Sequence, residues 1–264
     1  MNHKIIAALV AAGIFSVAAS AGAHAAEHML PNGGTLSAGD GDEVITDRAT
    51  LKEISIESQG SADPTLEAFW ARDGQAVYLN HEAIGYVKMD DWDELDVDDL
   101  WESYVEGARV QSERFGIEVR PLRWIVQPTL DQQAAVAYYA LEVQFGQETP
   151  LVNMVVMDFG RYGYEELTLV QDSASFPVEA AQEMAASIAG AHSFGAQASY
   201  FDFQEGDQVA AVGAAGLVAA ALGVKFGKGF LFAALLLFKK FWFVLLAIPA
   251  VLWRWLRGGK DQEA

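Results

Sequence analysis

The chain has no cysteine. Disulfides, thiolate nucleophiles and cysteine-held metals are excluded at once, and 264 residues are enough to build a core without them. Histidine is scarce. Beyond the first 25 residues only His28, His81 and His192 occur, and none has a histidine partner at the i+3 or i+4 spacing of a helical metal site. No metal site and no cofactor are expected, and each of the three is expected at the surface or at a cap. Basic side chains are missing where acidic ones crowd. Residues 26–208 carry nine Lys and Arg against 34 Asp and Glu, a balance of −25. So acidic a surface repels phosphate backbones, which excludes nucleic acid as a partner.

The longest apolar runs stand at the two ends. Met1-Asn2-His3-Lys4 is weakly positive, residues 5–19 are apolar, and Ala23-His24-Ala25 is a small-x-small site. That order predicts a secretory signal peptide over 1–25. At the other end, 209–224 holds no charge, and seven of the 17 basic residues follow from Lys225 onward against Asp261 and Glu263 alone. Basic residues after an apolar stretch suit the cytoplasmic side of a bilayer. Residues 209–256 are therefore expected to be membrane-embedded and 257–264 to form a basic tail. The lipid bilayer is the first expected partner, in a bacterial inner membrane with the main domain on the periplasmic side.

How the tail crosses stays open. Residues 209–224 are short for a hydrocarbon core of roughly 30 Å. Residues 230–255 are long enough, but Lys239, Lys240 and Pro249 interrupt them. One crossing keeps every basic residue of the tail inside, whereas a hairpin returns Arg254 and Arg257 to the exported side. Ala211, Ala215, Ala219 and Gly223 fall at i, i+4 intervals with Gly216 and Ala220 beside them. Such a face allows close helix packing and an oligomer built through it, or reflects small residues merely tolerated in a span.

Between the ends, Gly, Asn, Asp and Ser at 26–45 suggest a flexible leader, followed by one domain at 46–200 and a linker at 201–208. Short β-type runs at 50–56, 66–70, 76–79 and 83–87 come first, with Asp73-Gly74 as a hairpin turn. A helix is predicted from the acidic run at 90–99 to Phe115, with Asp96 as N-cap and Gly116 at its end. Strands follow at 117–127, 134–145, 151–158 and 164–171, then a helix at 177–191 with Pro177 in its first position. The order predicts an α+β fold, an antiparallel sheet with two main helices, plus C-terminal transmembrane helical segments.

Tyr86-Val87-Lys88-Met89-Asp90-Asp91-Trp92-Asp93-Glu94-Leu95-Asp96 resembles the GYV…DDxWDxLDAD signature of a bacterial family described as predicted membrane-anchored proteins, domain of unknown function 2167. Glu106-Gly107, Leu122-Arg123-Trp124 and Pro128 are similar to its central stretch. Tyr200-Phe201-Asp202-Phe203 with Asp207-Gln208-Val209-Ala210-Ala211 resembles its approach to the membrane, with Gln208 where the family usually has Lys. The resemblance implies a membrane anchor and carries no activity, so no catalytic residue transfers.

The acidic run is the one dense constellation. Asp91 and Asp93 have the first spacing of a calcium loop, but no glycine and no twelfth-position glutamate follow. An acidic helix start explains the run as well as a weak cation site at Asp90, Asp91 and Asp93 does. His192-Ser193 follows a predicted helix and lacks G-x-S-x-G spacing, so it is no nucleophile elbow. Two functions remain: a non-enzymatic envelope module that binds or assembles with a protein partner, or a cation-dependent hydrolase or metal-binding protein using 90–99.

Overall fold

The computed structural model describes residues 26–223, apart from Asp40, Gly60, Asp73, Gly74 and Ile117. The signal peptide expected at 1–25, the apolar segment 230–255 and the tail 257–264 lie outside the described residues.

Among the described residues ten strands carry the fold. They are β1 (Ala26–Met29), β2 (Thr35–Ala38), β3 (Glu43–Ile45), β4 (Leu66–Arg72) and β5 (Gln75–Glu82), then β6 (Val119–Asp131), β7 (Val136–Phe145), β8 (Leu151–Phe159), β9 (Tyr164–Asp172) and β10 (His192–Ser193). Seven form one antiparallel sheet in the order β3-β4-β5-β9-β8-β7-β6, and the others form a small sheet in the order β1-β2-β10. The helices are α1 (Arg48–Gln59), α2 (Val97–Phe115), α3 (Ala181–Ala191) and α4 (Ala214–Ala221).

Both faces of the large sheet are covered, which explains the partial alternation of Val136 to Leu141: all six are buried. On one face Tyr139, Val155, Met157 and Phe159 pack in a cluster with Leu100 of α2 and Leu217 and Val218 of α4. Further along it, Leu51 and Ile54 of α1 meet Tyr78 and Val170. On the other face Leu79, Leu167, Met154 and Val156 pack with Leu36 of β2 and with Ala181, Ala185 and Ile188 of α3. The domain is an α+β layered structure, and α2 has the predicted ends. Asp96 accepts from the amides of Asp98 and Asp99, and Gly116 closes the helix at φ 69°.

Four expectations are corrected. Residues 50–56 belong to helix α1, not to a strand. Asp47 caps it by accepting from the Thr50 amide at 2.9 Å. Its buried stripe is Leu51, Ile54, Ser55 and Ser58, a helical spacing disguised by two serines. The supposed leader at 26–45 holds three strands of three or four residues, too short to stand out from Gly-rich connections. Residues 83–87 make only an isolated parallel bridge, Tyr86 to Val209. The helix expected from Pro177 begins as a 3-10 turn, Val178–Ala180, before α3.

The expected membrane segment at 209–224 is corrected as well. From Ala214 to Leu222 it packs into the core of the domain, with Ala214, Ala215, Val218 and Ala219 fully buried. Among the described residues no helix is long and apolar enough to cross a membrane.

Candidate functional site

The chain from Asp207 to Gly216 is clamped to the domain by three devices. The first is backbone pairing. Tyr86 donates its amide to Gln208 O at 2.8 Å, Ala210 donates to Tyr86 O at 2.9 Å, and Ala214 donates to Lys88 O at 2.8 Å. Gly85 makes the approach possible: it sits at φ 96°, and a Cβ there would lie 2.7 Å from Gln208 O. The Tyr86 ring stacks on Tyr200 at 4.4 Å and meets Phe203 at 4.2 Å.

The second device is Asp91. Its two carboxylate oxygens accept from the Ala215 and Gly216 amides, each at 3.2 Å. The residue before α4 is Gly213, which offers no side-chain cap. A Cβ at Gly213 would lie 2.4 Å from Asp91 Oδ1, so the glycine makes room for a cap supplied from elsewhere. The carboxylate also faces the positive end of the helix dipole.

The third is an ion pair. Arg161, in the β8–β9 turn, donates from Nε to Asp207 Oδ2 at 2.7 Å and from Nη2 to Oδ1 at 2.9 Å. Little of either side chain reaches solvent. The Arg161 guanidinium, followed by the Gln204 amide, holds the Asp207 carboxyl below its ordinary range.

These contacts decide where the predicted site residues go. Asp90 and Asp93 are exposed, and Asp91 is half-buried and turned onto α4. Among the described residues, no group of three or more His, Asp or Glu side chains is placed to hold a metal ion. The small-residue row divides. Ala215, Gly216, Ala219 and Ala220 are buried within the domain, whereas Ala211 precedes α4 and Gly223 follows it, both exposed. Their size lets the helix lie close against its own domain, which removes them as a free face for a second helix.

A second constellation was missed. His81, Glu165 and Asp158 lie opposite one another on β5, β9 and β8, so one row across the sheet points all three toward the small sheet. Glu165 is fully buried and bonds His81 Nδ1 at 2.6 Å, with Asn32 donating to the same oxygen. Asp158 bonds His192 Nδ1 at 2.7 Å; His192 stands at the C-cap of α3, one of the two positions expected for it, with its side chain fully buried instead of at the surface. Burial raises the Glu165 and Asp158 carboxyls above their ordinary range despite these bonds. The bond to Glu165 raises His81. The signal in the sequence was the acidic residue inside each apolar strand, which a half-polar face also explains.

An Asp–His pair is the base half of a nucleophilic site, yet the opposite ring nitrogen has nothing to serve. His192 Nε2 is buried without a hydrogen-bond partner, and a Cβ at Gly34 would lie 3.0 Å from it. Beside this pair, between α3 and the ends of β7 and β8, lies a cleft of about 490 Å³ with Tyr138, Ala186, Phe194 and Phe201 in its walls. Asp131 and Asp158 are its acidic groups, and no Lys or Arg lines it.

A family model described as protein of unknown function (DUF2167) matches residues 40–250. No curated protein matches the chain. Among solved structures, the solution structure of cyanobacterial PsbP (CyanoP) from Synechocystis sp. PCC 6803 is similar at 10% identity, with a TM-score of 0.41, over 69% of this chain and 98% of that one.

Proposed function

The chain belongs to the DUF2167 family of proteins of unknown function, and we propose that it is a membrane-tethered envelope protein whose exported domain serves as a non-enzymatic binding or assembly module. The observation that carries this reading is the clamp. Asp207–Gly216 is fixed to the sheet by Tyr86, Asp91 and Arg161, so the apolar, basic chain after Gly223 leaves from a fixed point on the domain. A tether of that composition, behind a secretory signal sequence, supports the inner membrane with the domain on the periplasmic side. The anchor then begins later than Val209, and 230–255 becomes its main apolar segment.

The buried state of His192 and the commitment of Asp91 to a helix amide supply no reactive group to solvent, which supports binding or assembly over hydrolysis. A protein partner is the expected ligand of this module. Crosslinking in intact membranes followed by purification of the full chain tests it. A partner recovered in fixed stoichiometry supports the reading, and a chain that always emerges alone counts against it. Resistance of the chain to carbonate extraction tests the tether separately, and a reporter fused after Ala264 distinguishes one crossing from two.

A further inference from the structure

We propose that an exposed aromatic patch beside the clamp rests on the lipid bilayer surface, so that the domain lies against the membrane. The proposal rests on the tether above and names the surface that meets the lipid.

Beside the clamp four apolar side chains stand out to solvent: Phe201 at 67% exposure, Tyr162 at 52%, Val209 at 41% and Phe203 at 40%. They come from separate turns but are held as one group. Phe203 lies against Tyr86, and Tyr86 is bridged to Val209. Tyr162 follows Arg161, whose partner Asp207 stands two residues before Val209. Phe201 sits in a 3-10 turn closed by Ser199 and Asp202, each capping the other's backbone. The patch is therefore preformed, and placing it at an interface orders little that is not already ordered.

The course of the chain identifies the occupant. Val209 leads through α4, which is about 12 Å long at 1.5 Å per residue, to Gly223 and then into the apolar tail. The patch thus lies within a domain's width of the point where the chain turns to lipid. Phenylalanine and tyrosine are side chains that partition into the bilayer–water boundary. A second copy of this domain is a poorer occupant, because a balance of −25 over residues 26–208 opposes self-association. Asp202 and Glu205 are exposed near the aromatic residues, and Arg161 is taken by Asp207. The attraction comes from the rings.

The absence of cysteine makes the test clean. In the full-length chain, Phe201→Cys, Phe203→Cys and Glu148→Cys are each labelled with an environment-sensitive fluorophore and reconstituted into phosphatidylcholine vesicles with brominated acyl chains. Glu148 is exposed in the β7–β8 turn, at the end of the nine-residue strand β8 away from Tyr162, roughly 30 Å distant at about 3.3 Å per residue. Loss of most emission at 201 and 203, with emission at 148 unchanged, supports the proposal. A chain that floats with the vesicles while 201 and 203 stay unquenched overturns it and leaves the tether standing. A chain that does not float overturns the tether and the proposal together. Emission at 201 that shifts with protein concentration in detergent, without quenching in vesicles, assigns the patch to a second copy and overturns it also.

Discussion

Asp91 and Ala215 stand 124 positions apart and are joined by a hydrogen bond of 3.2 Å, from the helix amide to the carboxylate. With the parallel bond to Gly216, this makes Asp91 the cap that α4 lacks in its own sequence. The acidic run around Asp91 and the start of α4 are therefore two halves of one contact.

Replacing Asp91 by Ala is expected to lower stability by about 1–2 kcal/mol, the range for a lost N-cap, and Asp91→Asn by less. Thermal melting of both variants checks this. Calcium and magnesium are expected to leave the wild-type Tm unchanged. A rise that Asp91→Asn abolishes would restore the cation site.

Gly85 and Gly146 both have positive φ, at 96° and 56°. Only Gly85 is crowded, against Gln208 O, whereas a Cβ at Gly146 meets nothing within 4 Å. Gly146→Ala is expected to cost about 1 kcal/mol, and Gly85→Ala at least twice that, because it also pushes the 207–210 segment away. Urea unfolding of the pair separates backbone strain from the contact.

Ala219→Leu is expected to destabilise the domain by about 1–3 kcal/mol through overpacking, without changing self-association. Denaturation read alongside sedimentation decides between this role and a face for a second helix. Altered association at full stability would favour the latter.

Two groups of charges give stability opposite dependences on pH. Asp207 is held below its ordinary 3.8 by Arg161, so its contribution is complete above that value and lost as pH falls through the folded value. Asp207→Asn is expected to remove stability at neutral pH and flatten the acid limb. Glu165 and His81 are raised above 4.5 and 6.5, so the folded state holds protons that the unfolded chain releases. Their contribution is complete at low pH and declines as pH rises through each folded value. Glu165→Gln is expected to flatten the decline that sets in above 4.5, measured by unfolding at constant ionic strength.

The helix at Val97–Phe115 and the four strands β6 to β9 were legible because their signals are local: a capping Asp, a closing Gly and runs of β-branched residues between turns. The clamp was not legible, because the Asp91 carboxylate gives no sign of which distant amide it meets. The row His81, Glu165, Asp158 depends on the register of three strands, and periodicity in one strand does not carry that register. The apolar 209–224 run reads alike as a core helix and as a span, and length alone favoured the core. Residues 26–45 were obscured because their strands are short and β2 gains its second partner only from β10, far along the chain.

Those same long-range pairings set an order of assembly. β2 stays an open edge until His192 arrives, and the face under Tyr139 stays only partly covered until Leu217 and Val218 do. A chain made from its N-terminus therefore spends most of its synthesis with apolar strands partly unprotected. Contacts of such sequence separation close slowly. The segment that finishes the core is also the last of the domain to be made, so the core closes only when the rest of the domain is already in place.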